Sequence, residues 1–267
     1  MINSADLDFY KSAIVAGKTV ELRETELPVF LGGARKRSGR SSIASAEDKI
    51  INREKVLARA RRSVRNLVNA NPDCNKFLTL TFKENITDLS QAYKSLHYFL
   101  KKIKRYIMPN MKFIAVPEFQ KRGAVHYHLI CNLQYIHWKM LEKLWGQGYI
   151  KINKIDEVDN VGAYVSKYIN KDFADERLVG RKCYYCSKNL TKPTKITSET
   201  QLRLLEKQLG NADVIRIHTF EYENDYSGHT TVTRILLKEP INIEKITCLT
   251  PIPARVWKLF QRGVSFV

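Results

Sequence analysis

The residue types most able to do chemistry gather in Val116-Pro-Glu-Phe-Gln-Lys-Arg-Gly-Ala-Val-His-Tyr-His-Leu-Ile130. The stretch reads as two strands around a tight turn at Lys121-Arg122-Gly123, where glycine is free to take a positive φ. Side chains two apart on a strand leave the same face, so His126 and His128 share one. A turn of about three residues sets Glu118 across the ladder from His126, on that same face. Two imidazoles and a carboxylate so placed make a three-ligand metal site with positions left open for substrate. The competing reading of the same spacing is two ordinary half-buried histidines.

A second group lies in Tyr164-Val-Ser-Lys-Tyr168. On a helix, residues four apart stand one above the other, which brings the Cβ atoms of Tyr164 and Tyr168 to about 6 Å. Lys167 falls on the adjacent side, and Gly162 and Ala163 keep the preceding turn slim. A phenol is a poor nucleophile with its ordinary pKa of about 10. An adjacent cation, or a metal polarising the electrophile, makes it useful. Taken alone, the same spacing better describes an amphipathic helix packing tyrosines on a sheet.

These groups need a frame, and a regular pattern begins at residue 75. Lys76 to Phe82 is rich in strand formers. Asp88 caps a helix to about Ile107, with Leu89, Ala92, Tyr93, Leu96, Leu100, Ile103 and Ile107 on one stripe. After the histidine hairpin, His137 to Leu144 reads as a short helix closed by Gly146, and Tyr149 to Ile155 as a strand. Asp159 or Asn160 starts a helix reaching about Lys171. The order β-α-β-β-α-β plus a final helix predicts an α+β fold of ferredoxin-like type. Such a sheet is antiparallel, with helices on one face and the other available for a ligand. Trp138 and Trp145 are expected to pack on it.

Around this frame the chain divides into three consecutive regions, 1–70, 71–190 and 191–267. In the first, Lys18 to Phe30 alternates like a strand. Ser12-Ala-Ile-Val-Ala-Gly-Lys-Thr19 resembles a phosphate-binding loop, but Ser12 replaces its first glycine and no helix follows, so the phosphate-holding dipole is missing. Residues 35–45 read as a flexible basic linker. Ser45 and Asp48 then form a capping box for a helix over 46–69, with Ile50, Leu57, Val64 and Leu67 as its apolar stripe. Its Arg59, Arg61, Arg62 and Arg65 are expected to contact phosphates rather than form a merely solvated face. The last region reads as a helix from Ser198 to Leu209 and a hairpin turning at Asp225-Tyr-Ser-Gly228, with no chemistry evident. Cys183-Tyr-Tyr-Cys186 has metal-like spacing but no second Cys/His pair near it, so the two are read as plain thiols.

Across 267 residues, 45 Lys and Arg face 27 Asp and Glu, a net charge of +18. Self-repulsion on that scale points to a polyanionic partner, nucleic acid before all others. No apolar run approaches the length of a membrane span, which argues against a membrane partner. The N-terminus lacks the order of a signal peptide, and five scattered cysteines fit a reducing cytoplasm.

Phe77-Leu-Thr-Leu-Thr-Phe82, His126-Tyr-His128 and Tyr164-Val-Ser-Lys-Tyr168, in this order, resemble the three motifs of the HUH endonucleases. Within that superfamily the chain is similar to rolling-circle replication initiators of phages and plasmids that carry two active-site tyrosines. The resemblance covers about residues 75–190. It implies that His126 and His128 ligate a metal, with Glu118, or Gln120 in its stead, as the third ligand. It makes Tyr164 the nucleophile, Tyr168 the second tyrosine and Lys167 their helper. The implied cofactor is divalent, Mg²⁺ or Mn²⁺. The implied partners are single-stranded DNA at a replication origin and the polymerase of a bacterial host, while the lack of a phosphate-binding loop leaves strand unwinding to a separate helicase. Two alternatives stand beside this: a transposase or relaxase with the same chemistry, and a non-catalytic nucleic-acid-binding protein on a ferredoxin-like sheet.

Overall fold

The computed structural model describes residues 8–30, 46–155, 181–224 and 226–247. In chain order the elements begin with β1 (Asp8–Ala16), β2 (Thr19–Phe30), α1 (Ala46–Asn69), β3 (Lys76–Thr81), α2 (Leu89–Tyr106), β4 (Phe113–Phe119) and β5 (Val125–Cys131). They continue with α3 (Trp138–Trp145), β6 (Ile150–Lys154), β7 (Tyr185–Cys186), β8 (Thr194–Ile196), α4 (Glu199–Gly210), β9 (Val214–Asn224), β10 (Gly228–Leu237) and α5 (Glu244–Thr247). The protein is α+β, with two antiparallel five-stranded sheets.

Contacts group the chain differently from three consecutive regions. Residues 1–33 and 194–267 form one unit, and 34–193 form the other. The first unit is joined by strand pairing across the whole length of the chain, in the order β8-β1-β2-β10-β9. Ala13 pairs with Ile196, and Thr25 with Thr230. Such long-range pairing cannot be read from local periodicity. β1 and β2 meet through a turn at Gly17, φ +57°, so a strand does follow the phosphate-loop-like stretch. Val15, Val20, Leu205 and Leu237 lie in this unit's core.

The second unit carries the candidate site. Its sheet runs β6-β3-β5-β4-β7. Asp88 caps α2, accepting a hydrogen bond from the Ser90 amide at 2.9 Å, and Leu89, Ala92, Leu96, Phe99, Leu100 and Ile103 are buried along the helix. Gly146, at φ +64°, ends α3 in the left-handed conformation. Trp145 is buried, its indole N–H donating to the Thr81 carbonyl at 3.1 Å. Trp138 does not pack on the sheet as expected. It starts α3 on the outer side and is 50 % exposed.

Two details lock the frame. At Gly148, φ +151°, a Cβ would lie 2.4 Å from the Thr81 carbonyl oxygen and 2.5 Å from the Lys83 amide nitrogen. Only glycine lets the α3–β6 connection come this close to the end of β3. Asn71, 1 % exposed after α1, holds the Leu67 and Thr191 carbonyls at 2.8 Å each and accepts from the Thr191 amide at 2.9 Å. The stripe that α1 buries is Leu57, Ala60, Val64 and Val68, with Leu67 partly covered.

Candidate active site

Register places the predicted residues on one face of this sheet. Glu118 pairs with His126, and His126 with Thr81 of β3. The next row is Val116, His128 and Thr79, and the row beyond is Ile114, Ile130 and Phe77. One face thus grades from a buried apolar end to a half-buried polar end at the hairpin turn. That face is therefore not open throughout, and any ligand would meet its polar end.

The opposite face belongs to the helices. Tyr185 pairs with Ala115, which pairs with Leu129, so these three point away from the histidines. Tyr185 stacks on Tyr93 of α2, with centroids 4.5 Å apart, which places α2 on that side. Tyr127, between the two histidines, points to the helix side and is completely buried. Burial drives its phenol pKa far up.

At the polar end, the Glu118 carboxylate contacts His128 Nε2 directly. Thr79 Oγ1 lies 3.2 Å from His128 Nδ1, so both ring nitrogens are held, and Phe77 stacks on the ring at 5.4 Å. The His126 ring stands 6.4 Å from that of His128, nearly perpendicular to it. Its Nε2 is buried without a hydrogen-bond partner among the described residues. Burial first, and His128 second, hold the His126 pKa below the ordinary value, so the ring stays neutral at pH 7 with a lone pair to give.

The turn is fixed from outside. Arg122 donates to the Phe82 carbonyl at 2.6 Å and to Gln120 Oε1 at 2.9 Å. Gly123 takes φ +88°. Gln120 is thus engaged with Arg122, while Glu118 is the carboxylate that meets a histidine.

Among the described residues, no three His, Cys, Asp or Glu side chains are already arranged as a metal site. The donor chemistry nevertheless fits a divalent cation. A carboxylate and an imidazole converge, a second imidazole nitrogen beside them lacks a partner, and Thr79 is the kind of outer group that orients a liganding ring. Two neighbours escaped the motif reading, Thr79 and the exposed Lys151, which pairs with Thr79 from β6. The alternation Thr79-Leu-Thr81 was the available signal; the strand order was not.

Tyr164, Lys167 and Tyr168, with the helix expected over 159–171, lie outside the described residues. The arginines of α1 are placed: Arg59 is exposed, whereas Arg61, Arg62 and Arg65 are half-buried. Cys183 and Cys186 are free thiols, the first partly exposed and the second exposed.

Charge separates by unit. Residues 1–33 and 194–267 hold 13 Lys and Arg against 13 Asp and Glu, so the whole net charge of +18 resides in 34–193. Among the described residues, no helix is long and apolar enough to cross a membrane.

Comparison with known proteins points the same way. A family model of replication-associated proteins, of the ORF2 type, matches residues 75–173, which include the histidine hairpin and the tyrosine segment. The phasyl DNA replicon protein arp of Escherichia coli is 26 % identical over 125 residues, 36 % of this chain and 42 % of that protein. The chain thus spans under half the length of this curated relative. No solved structure matches. Both similarities are to replication proteins.

Proposed function

We propose that this protein starts rolling-circle replication of a phage or plasmid by nicking single-stranded DNA at an origin, and later rejoins the ends. The observation that carries the reading is the gathering of Glu118, His126 and His128 at the polar end of one sheet face, inside the segment similar to replication-associated proteins. The sheet supports a ferredoxin-like core. Its strands β3 to β6 follow a β-α-β-β-α-β order, and in space the fourth of them lies beside the first, then come the third and the second.

In this mechanism the Tyr164 hydroxyl oxygen attacks phosphorus, forming a 5′-phosphotyrosine as the P–O3′ bond breaks. The departing 3′-oxygen takes a proton and leaves as a hydroxyl that primes a host polymerase. Lys167 lowers the cost of the phenolate by its charge. His126, His128 and Glu118 would hold Mg²⁺ or Mn²⁺, which supplies positive charge to a non-bridging phosphate oxygen. The bond energy stays in the protein–DNA ester, so rejoining needs no ATP. Tyr168 permits a second cleavage while Tyr164 is still loaded. Strand separation falls to a separate helicase in the host cytoplasm. The replication-associated similarities favour an initiator over a transposase or relaxase of the same chemistry.

The test is incubation with labelled origin single strand and Mn²⁺. A covalent adduct on a denaturing gel is expected, lost in Tyr164→Phe and on chelation of the metal. Tyr168→Phe should still make the first cut but fail in strand transfer. Absence of any adduct would remove the case for catalysis, and a DNA-linked peptide without either tyrosine would remove their assignment as nucleophiles.

A further inference from the structure

On the helix side of the second unit, remote from the histidine row, a cavity of about 710 Å³ opens between α1, α2 and the segment around β7. A space of this size accommodates a ligand of small-molecule dimensions, of the order of 300–1,000 Å³. Its walls are of two kinds. The inner wall is apolar and aromatic, with Tyr93 and Tyr185 stacked at 27° between ring planes and Tyr184 beside them. Tyr93 is 39 % exposed, so the stack has an edge in solvent. Nearby, completely buried Tyr127 keeps a hydroxyl with no protein partner among the described residues.

The rim is basic. Arg181, Lys182 and Lys188 line it, all three exposed, and among the described residues no aspartate or glutamate lines the cavity. None of the three cations forms an ion pair among the described residues. A structural aromatic cluster needs no such rim, and a solvated basic face needs no stacked tyrosines. Together the two features match single-stranded nucleic acid, whose bases stack on aromatic side chains while cations follow its phosphates. The cavity also lies in the unit that holds the entire net positive charge.

We infer that this groove is a second single-strand DNA site, holding a segment of strand that the histidine row does not touch. Strand binding here involves no bond making, so the groove's occupancy does not depend on nicking. Tyr185 of β7 faces the groove from the side of the sheet opposite the histidines, and Cys186 lines it too.

The test uses the full chain and a 5-iodouracil-substituted single-stranded oligonucleotide without added metal, followed by photocrosslinking and peptide mapping. Crosslinks at Tyr93, Tyr184 or Tyr185 are expected. Crosslinks confined to 116–128, or none, overturn the proposal. A parallel titration by fluorescence anisotropy compares Arg181→Gln/Lys182→Gln/Lys188→Gln with the parent chain. The triple change alters only exposed side chains, and its log Kd against log salt slope is expected to drop by about 2. Tyr93→Leu/Tyr185→Leu should weaken binding about tenfold at fixed salt. An unchanged slope in the first variant overturns the proposal, as does equal competition by duplex DNA or polyglutamate. Because no readout depends on adduct formation, failure of the nicking reading leaves this test intact, and the reverse also holds.

Discussion

His128 is held on both ring nitrogens, by Glu118 on one side and Thr79 on the other, whereas Gln120 is turned to Arg122. This asymmetry decides which third ligand to expect. Glu118→Ala should lower metal-dependent adduct formation far more than Gln120→Ala, measured by gel at fixed Mn²⁺. The opposite order would shift the ligand set along the hairpin. Thr79→Val keeps the shape of the side chain and removes its hydroxyl. A loss of about 10–100-fold in metal affinity or activity is expected if Thr79 orients a liganding ring. Thiols give an independent check on burial. Burial pushes Cys74 up to about 12 and Cys131 up to about 11; it raises Cys183 and Cys186 too, but Cys186 is exposed and Cys183 partly so, within reach of a reagent. Iodoacetamide at pH 8 should therefore label Cys183 and Cys186 in the native protein, and Cys74 and Cys131 only after denaturation, as read by peptide mass.

At the scale of elements, the histidine hairpin is only as exact as the strand beside it. The connection at Gly148 presses on the end of β3, and Arg122 ties the hairpin turn to the same strand end. Gly148→Ala must displace backbone, not a flexible side chain. It is expected to destabilise the protein by about 2–4 kcal/mol, measured by denaturant midpoint. An effect below about 0.5 kcal/mol would show that the contact relaxes freely. On α1, exposed Arg59 and half-buried Arg61 and Arg62 differ in their reach. If the helix meets phosphates, replacing all three with glutamine flattens the salt dependence of DNA binding, with Arg59 contributing at no cost to packing. A slope equal to that of the parent chain would leave α1 as scaffold.

For the whole molecule, the division of charge is the organising feature. One unit is neutral and built from both ends of the chain, and the other holds all +18. DNA affinity should therefore respond to changes in 34–193 and ignore those in the neutral unit. Arg203→Gln, Lys207→Gln and Arg216→Gln together are expected to leave the salt slope of single-strand binding unchanged. A fall of about 2 in that slope would assign the neutral unit a phosphate-binding role of its own.

The amino-acid order by itself determined what is local. Asp88 and the 89–103 stripe define α2, Gly146 closes α3, and a short turn aligns Glu118 with His126, because caps, helical periodicity and hairpin register depend on neighbours in sequence. Strand pairing at a distance was beyond its reach. Ala13 with Ile196 unites the two ends of the chain, and the two-residue β7 carries too little pattern to be recognised. Thr79 beside His128, Gln120 turned to Arg122 and Trp138 exposed depend on which strands and helices become neighbours in space. The basic-rimmed tyrosine groove is of the same kind. Tyr93 and Tyr185 are remote in sequence, and only the packing of α2 against the β7 edge makes them one surface.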